Sequence, residues 1–372
     1  MMVRIMLCPF VLLMATTHAV PRDKKPANIL FLMCDSMDGR VLDPTSPVSQ
    51  RMEMPNLRKL ASIGTNFVRT YAASPQCVPS RTTMFAGRRI DQVRTWNNDQ
   101  GLAASPGPSG KLDPSCLKHY DQVRCAELAA AQSLQSTLVD SLQGAGCELC
   151  IFGKVDVGAG IIEHNESTTP GWIDGQPGPP SGFHSGVSLN TQGRAADIRK
   201  PTKPTPISIT RDDDNNVHPE DQKMIKKCAE WFERHDPAAP APWFHYCSIN
   251  IPHPAFNTNA TWLAKVNTEL IPKPFWLPES EFHPADKYMS MSKNVWGTNI
   301  SDAEVLQVRK TYYAMCAETD WMLGTVMDAA NRTGHLDDTY IVFVSGKSAC
   351  AGPCHHYHHH RRHLPLLTLH NA

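Results

Sequence analysis

Short, mainly apolar runs recur along this chain, the first of them continuous, and each is followed by a polar residue or glycine. Runs of this kind predict buried strands of a parallel sheet. They cover residues 28–34, 148–152, 243–249 and 339–345, and a further short strand is predicted over 66–72. Between them, apolar residues at helical spacing predict helices over residues 55–64, 126–146, 219–235 and 302–333. The sequence therefore predicts an α/β fold in which a mixed, mostly parallel sheet is flanked by helices.

Three chemically versatile residues follow the predicted strands. Asp35 comes directly after the first strand, Lys154 follows the strand at 148–152, and His253 lies in a proline-flanked loop after the strand at 243–249. Ligands of open α/β sheets bind beyond the carboxyl ends of the strands. A carboxylate there suits calcium or magnesium, a lysine suits an anion, and an imidazole suits proton transfer near neutral pH. The alternatives are a helix-capping aspartate, a solvated lysine and a surface histidine.

A cysteine stands just ahead of a predicted helix start, in the run Cys77-Val78-Pro79-Ser80-Arg81. Pro79 suits the first turn of a helix, and Ser80 can cap it. The N-terminus of a helix is positive and favours anions, so a nucleophile at this place suits an enzyme that holds sulfate or phosphate. A buried cysteine at a turn remains the alternative.

The run from Cys77 to Arg81, with Gly87 six residues later, resembles the signature of the sulfatase family. Four further motifs, at residues 35–40, 152–156, 250–254 and 312–320, also resemble that family. The resemblance implies an alkaline-phosphatase-like fold. It also implies that a formylglycine-generating enzyme converts Cys77 to formylglycine, which becomes the nucleophile, and that calcium is bound by Asp35 and by the modified Cys77.

The same resemblance implies the remaining roles. Arg81 and Lys154 contact the nucleophile and the sulfate, Lys154 and His253 bind substrate, and His253 protonates the leaving alcohol. The implied substrate is a sulfated uronate of glycosaminoglycans, with aryl sulfates as surrogates. A phosphoesterase of the same superfamily is the enzymatic alternative. Asp320 and Trp321, inside the last predicted helix, are interpreted as packing and capping residues.

The ends of the chain and its charge bear on location. Residues 1–19 predict a signal peptide, with a buried N-terminal strand as the alternative, and no segment is long enough to span a bilayer. Lys plus Arg and Asp plus Glu both number 36, so bulk charge predicts no binding to nucleic acid. Some of the twelve cysteines are expected to form disulfides. Together these features predict the secretory pathway, with the lysosome or the extracellular space as destination. Glycosylation sequons begin at Asn165, Asn259, Asn299 and Asn331.

The resemblance extends from residue 28 to residue 345, which we take as an incomplete sulfatase domain, and it breaks in the tail at residues 346–372. Sulfatases continue after this last strand with Asp-His-Gly or Asp-Asn-Gly, which supplies metal ligands, whereas this chain continues with Gly346-Lys347 and then a histidine-rich run at 355–363. The tail is interpreted as read-through or frameshifted sequence, as the end of a truncated isoform, or as a binding site for zinc, copper or nickel. Loss of the family's C-terminal part predicts an uncovered sheet edge and allows an inactive, secreted sulfatase-like protein.

Overall fold

The structure is a computed structural model, and it describes residues 27–67, 70–93, 137–155, 207–209, 217–273, 278–281, 283–284, 301–346, 363–364 and 366–370. For residues 207–209, 363–364 and 366–370 it describes the backbone alone. The predicted signal peptide, the sequons at Asn165 and Asn299, most of the predicted helix at 126–146 and most of the histidine-rich run lie outside the described residues.

The predicted strands at 28–34, 148–152, 243–249 and 339–345 are all present. The strands are β1 Asn28–Cys34, β2 Thr65–Asn66, β3 Thr70–Tyr71, β4 Glu148–Gly153, β5 Ile207–Ile209, β6 Trp243–Ser248, β7 Phe256–Thr258, β8 Thr339–Ser345, β9 His363–Leu364 and β10 Leu366–His370. The helices are α1 Pro55–Ile63, α2 Cys77–Ala86, α3 Ile90–Val93, α4 Leu138–Gly144, α5 Pro219–Arg234, α6 Ala260–Leu263 and α7 Asp302–Arg332. Single 3₁₀ turns lie at Gly39–Val41, Pro47–Arg51, Thr268–Leu270 and Glu279–Glu281.

The main sheet has six strands in the order β2-β10-β8-β1-β6-β4. Strands β8, β1, β6 and β4 are parallel to their neighbours, so their carboxyl ends share one edge. Strand β10 is antiparallel to both β8 and β2. The prediction of a mixed, mostly parallel sheet is confirmed.

Helices cover both faces of this sheet. Along β1, Leu30 and Leu32 belong to a core that also includes residues of α1, α5 and α7. The next residue, Met33, points to the other face, where it joins a smaller core with Phe85 of α2 and Val139 of α4. Because successive side chains of a strand point to opposite faces, an unbroken apolar run is what a sheet buried on both sides requires. Each fully buried leucine or phenylalanine contributes about 1.5–3 kcal/mol to folding.

The long helix α7 joins several parts of the molecule. Ser301 and Glu304 form a capping box at its start. Further along, the carboxylate of Asp320 accepts hydrogen bonds from the backbone N–H groups of Asn56, at 3.1 Å, and Leu57, at 2.7 Å, so it caps the start of α1 from a neighbouring helix. The capping role predicted for Asp320 is confirmed. Trp321 is 44% exposed, and its ring lies 5.6 Å from that of the buried Trp262.

Three sequence predictions need correction. The strand predicted over residues 66–72 is two short strands, β2 and β3. The uncovered sheet edge predicted from the loss of the family's C-terminal part does not lie beside β8, because Leu366–His370 of the tail pairs with β8 as β10. None of the three interpretations of the tail includes a strand, although residues 367–370 alternate between apolar and polar as a strand does. Among the described cysteines, Cys228 and Cys247 form a disulfide that joins α5 to β6.

The third correction concerns the helix that carries the cysteine motif. Helix α2 begins at Cys77 itself rather than at Pro79, and Gln76 is its N-cap residue. Pro79 therefore occupies the third helical position, and Ser80 lies inside the helix, where its N–H donates to the carbonyl of Gln76 at 3.1 Å. Proline is tolerated at any position of the first turn, because the N–H groups there have no partner within the helix. Pro79 therefore does not identify the first residue of α2.

Candidate active site

The site lies where the carboxyl ends of β1, β6 and β4 meet. Asp35 follows β1, Lys154 follows β4, and the loop after β6 carries Asn250 and His253. One ligand atom each of Asp35, Cys77 and His253 lies within 4.8 Å of the others. The residues predicted from strand ends and from the cysteine motif are thus brought together at one edge of the sheet.

Two backbone features set the directions of the loops. Gly153 ends β4 with φ of +85°, and a Cβ atom built on it would lie 1.8 Å from the carbonyl oxygen of Ser248. Only glycine fits so close an approach, and it lets the N–H of Lys154 donate to that oxygen at 3.0 Å. Ser36 has a φ of +73°, a conformation that non-glycine residues adopt rarely and mostly at functional sites.

The Lys154 ammonium group lies among the polar groups of the site. Its Nζ donates to Asp35 Oδ2 at 2.9 Å and to Asn250 Oδ1 at 2.9 Å, and it lies 4.0 Å from Cys77 Sγ. The side chain is 8% exposed, so the charge is only slightly screened by water.

Arg81 is fully buried. Its Nη1 donates to the carbonyl of Lys154 at 2.6 Å, to Tyr246 Oη at 2.9 Å and to Ser248 Oγ at 3.0 Å, while Nη2 lies 3.4 Å from Asp35 Oδ2. These bonds hold the guanidinium against the strand ends. Arg81 therefore balances the charge of Asp35 and holds the segment that carries Lys154 in place.

Asp35 is also fully buried, and both of its oxygens have hydrogen-bond donors. Oδ1 accepts from Ser36 Oγ at 2.7 Å, and Oδ2 is shared between Lys154 and Arg81. Tyr312 of α7 supports this turn, because its hydroxyl donates to the carbonyl of Ser36 at 3.0 Å. A buried carboxylate with two cationic partners is stabilised in its charged form.

The loop that carries His253 is anchored by a residue that the sequence analysis missed. The carboxylate of Asp221, in the first turn of α5, accepts from the N–H groups of Asn250 at 2.8 Å and Ile251 at 2.9 Å. Burial raises the pKa of Asp221, and these two N–H groups and the Lys154 charge counter part of that rise. His253 Nδ1 contacts the carbonyl of Pro254. Because a carbonyl oxygen only accepts, that contact makes Nδ1 the donor of the ring. An acidic residue at a helix start usually serves the helix, so the sequence offers no signal for this role.

Two of the predicted glycosylation sites lie within the described residues. Asn259 is fully buried and caps α6, since its Oδ1 accepts from the N–H of Trp262 at 3.1 Å. A glycan on this side chain has no room, so the prediction at Asn259 is contradicted by its burial. Asn331 is exposed near the end of α7 and stays a prediction.

The described residues do not fit calcium. Calcium takes about six to eight oxygen ligands, mostly carboxylates and carbonyls. The cluster offers one carboxylate, one thiol and one imidazole, and the carboxylate already accepts from two cations. In the part of the chain that the structure describes, no second carboxylate joins this group. The position after β8, where the resemblance predicts a metal-binding aspartate, holds Gly346.

A family model for sulfatases matches residues 27–366. This match covers most of the chain, and the chain therefore belongs to the sulfatase family; the resemblance found in the sequence is confirmed. The chain is similar to arylsulfatase K of Bos taurus, with 28% identity over 331 residues that cover 86% of this chain and 52% of the relative. It is equally similar to arylsulfatase K of Homo sapiens, with 28% identity over 337 residues, 87% of this chain and 53% of the relative. The chain spans about half the length of these relatives.

Solved structures show the same fold. A phosphonate monoester hydrolase from Silicibacter pomeroyi superposes with a TM-score of 0.60 at 19% identity, over 92% of this chain and 68% of that one. The phosphonate monoester hydrolase of Agrobacterium radiobacter gives 0.59 at 20% identity, over the same shares. At these identities the likeness concerns the fold alone, and it confirms the predicted alkaline-phosphatase-like, sulfatase-type architecture. Among the described residues, no helix has the length and apolar character that crossing a membrane requires.

Proposed function

We propose that this chain is a hydrolase of sulfuric esters, similar in reaction to the arylsulfatase K proteins that it resembles. The observation that carries the proposal is the approach of the Lys154 ammonium to Cys77 Sγ, at 4.0 Å, in a motif that matches the sulfatase signature. A cation beside the nucleophile position at the start of a helix suits a tetrahedral dianion and its esters.

Each residue of the site has a distinct task in this proposal. Lys154 neutralises charge on the sulfate oxygens, and Arg81 holds the Lys154 segment in place and balances Asp35. His253, held by its contact with Pro254, donates the proton that the departing alcohol needs. Asn250 orients Lys154 through the 2.9 Å hydrogen bond. These groups are fixed before the substrate arrives, which is what makes electrostatic stabilisation effective.

The proposed nucleophile requires a modification of Cys77 by a formylglycine-generating enzyme. The signature around Cys77 is intact, and the side chain lies at the first position of α2, beside Lys154 and His253. Formylglycine in this place would supply the attacking hydroxyl group of a hydrated aldehyde. We propose no step through calcium, because the described residues do not fit that ion.

The substrate and the location are also proposals. The likeness to arylsulfatase K supports a sulfated uronate within a glycosaminoglycan, with aryl sulfates as laboratory surrogates. The predicted signal peptide at residues 1–19 and the disulfide between Cys228 and Cys247 support passage through the secretory pathway to the lysosome or the extracellular space.

The secreted chain and its Cys77→Ala variant would be assayed for hydrolysis of an aryl sulfate and of the matching aryl phosphate. We expect hydrolysis of the sulfate, its complete loss in Cys77→Ala, and unchanged rates in the control Cys147→Ala, which removes a half-buried thiol elsewhere. Mass spectrometry of the peptide that contains residue 77 would report the modification. Substantial turnover by Cys77→Ala, or faster hydrolysis of the phosphate, would refute the assignment.

A second candidate is a sulfatase-like protein that binds sulfated glycans without turnover. Gly346 favours it, because the metal-binding aspartate expected after β8 is absent from the sequence there. This candidate predicts formation of a sulfate complex and no product, even when residue 77 is modified.

A further inference from the structure

We propose that the Lys154 ammonium group takes the place of a divalent cation in this site, so that the site holds sulfate and sulfate esters without calcium. The inference rests on the proposed function only in its choice of sulfate as the anion. It goes further in assigning the positive charge of the site to the protein itself.

The argument starts from the partners of Lys154 Nζ. They are a carboxylate oxygen of Asp35 and the amide oxygen of Asn250, both at 2.9 Å, with the sulfur of Cys77 at 4.0 Å. The two oxygens, though not the sulfur, are the kind of ligand atom that a hard cation at this place would need. An ammonium group has three N–H donors directed at acceptors, and it is already at hydrogen-bond distance from both oxygens. A calcium ion would have to displace it.

The balance of charge supports the same assignment. Asp35 is in contact with two cationic side chains, Lys154 at 2.9 Å and Arg81 at 3.4 Å. The neighbouring carboxylates are used elsewhere, since Asp221 accepts from two backbone N–H groups and Asp38 pairs with Arg40. Within the cluster of Asp35, Lys154 and Arg81, two cations face one carboxylate, and Asp221 acts on Lys154 from outside that cluster. A divalent cation at Asp35 would be repelled by both cations, while an anion such as sulfate would be attracted to them.

The end of β8 shows why a further carboxylate does not complete a metal site. Gly346 follows β8, and its N–H donates to the carbonyl of Cys34 at 2.9 Å. A Cβ atom built on Gly346 would lie 3.1 Å from Arg81 Nε, 3.2 Å from Arg81 Nη2 and 2.9 Å from Met33 Cε. The guanidinium of Arg81 thus packs closely against the position of a side chain at 346, and Arg81 would have to shift by a few tenths of an ångström to admit one. Glycine at this position leaves Arg81 undisturbed.

The first test has two measurements on the whole chain. The purified protein is analysed for bound metal, and after dialysis against a chelator it is titrated with calcium in a calorimeter. We expect no saturable heat up to millimolar calcium and less than one tenth of an equivalent of bound metal. Saturable binding of one calcium per chain would overturn the proposal. This measurement needs no variant, so it decides the matter even if substitutions at Lys154 prevent folding.

The second test measures sulfate binding from the rise in melting temperature with sodium sulfate, in EDTA and in calcium. Sulfate also stabilises proteins without a site, so the readout is the difference from Lys154→Gln. We expect the unsubstituted chain and Lys154→Arg to bind sulfate equally with and without EDTA, and Lys154→Gln to bind at least tenfold more weakly. Lys265→Gln, which removes an exposed lysine paired with Glu53, serves as control and should match the unsubstituted chain. A sulfate response that EDTA abolishes, or one that Lys154→Gln leaves intact, would overturn the proposal.

Turnover separates this inference from the proposed function. Hydrolysis of an aryl sulfate that requires added calcium would overturn the inference and leave the proposed function standing. Sulfate binding in EDTA without hydrolysis would support the inference and remove the proposed function.

Discussion

A buried histidine in the central sheet should make this protein lose stability in acid. His245 of β6 is fully buried; its ring is stacked on that of Phe232 at 4.7 Å and meets that of Trp231 edge-on at 4.9 Å. Its Nε2 donates to the carbonyl of Cys228 at 3.2 Å, and its Nδ1 has no hydrogen-bond partner among the described residues. A proton on Nδ1 would be a buried donor without an acceptor. Burial accordingly lowers the pKa of His245 from 6.5 to about 3, and the nearby His235 and His335 add to the decrease.

The size of the effect follows from linkage. Below pH 6.5 the unfolded chain binds a proton at His245, while the folded chain stays neutral there until about pH 3. Folding therefore becomes less favourable as pH falls through this window, by up to about 1.4 kcal/mol per pH unit. Between pH 7 and pH 4.5 this single residue should cost about 2–3 kcal/mol of unfolding free energy. The window includes the acidity of a lysosome, one of the two proposed destinations.

The assay is urea unfolding at pH 7 and pH 4.5, followed by tryptophan fluorescence. His245→Phe keeps an aromatic ring among the neighbouring rings and cannot titrate. We expect its loss of stability between the two pH values to be about 2–3 kcal/mol smaller than that of the unsubstituted chain. His283→Gln, at an exposed position, is the matched control and should leave the loss unchanged. An equal pH-dependent loss in His245→Phe and the unsubstituted chain would refute the reasoning.

Two further predictions concern single contacts, both measured by urea unfolding at pH 7. Gly153→Ala should destabilise the chain by more than about 3 kcal/mol, because its Cβ would lie 1.8 Å from the Ser248 carbonyl at a φ of +85°. The control Gly144→Ala has open space around it and should change stability by less than about 1 kcal/mol, so equal effects would contradict this account. Asp320→Ala should cost about 2–4 kcal/mol, because it leaves two N–H groups at the start of α1 without acceptors. Its exposed neighbour on the same helix, Asp328→Ala, should be nearly neutral, and a similar loss in both variants would argue against the capping role.

The sequence pattern correctly predicted the strands that consist of a single, mainly apolar run. The strands β1 and β8 lie at the predicted residues, and β4 and β6 differ from prediction by one residue at an end. These strands are buried on both faces, so their pattern has little competition from turns or helices. Because Asp35, Lys154 and His253 each follow such a strand, their convergence followed from the topology.

The remaining features depend on contacts between distant parts of the chain. Asp221 anchors the His253 loop from a separate helix, and nothing in its local sequence distinguishes it from an ordinary acidic residue in a first helical turn. The pairing of β10 with β8 was missed because a five-residue strand in a divergent tail carries a weak signal. The burial of Asn259 was missed for a similar reason, since a sequon says nothing about the packing around it.

A last prediction tests whether Arg81 and Gly346 depend on each other. Gly346→Asp restores the carboxylate that the family motif places after the last parallel strand, but its Cβ would enter the space of Arg81. Arg81 would then have to shift by a few tenths of an ångström, which strains its hydrogen bonds to Tyr246, Ser248 and the Lys154 carbonyl and should cost about 1–3 kcal/mol. We expect urea unfolding to show this loss and calorimetry to show no calcium binding, because the ammonium group still occupies Asp35.

Two related variants separate the contributions to that result. Gly346→Ala introduces the Cβ without the charge, so it should retain most of the destabilisation if space is the cause. Combining Gly346→Asp with Lys154→Gln removes the competing ammonium and adds a carboxylate, and this pair should gain measurable calcium affinity that neither single variant has. Tight binding of one calcium by Gly346→Asp alone, at full stability, would show that neither Arg81 nor Lys154 keeps calcium out. The proposal that the protein's own side chains supply the positive charge of the site would then be wrong.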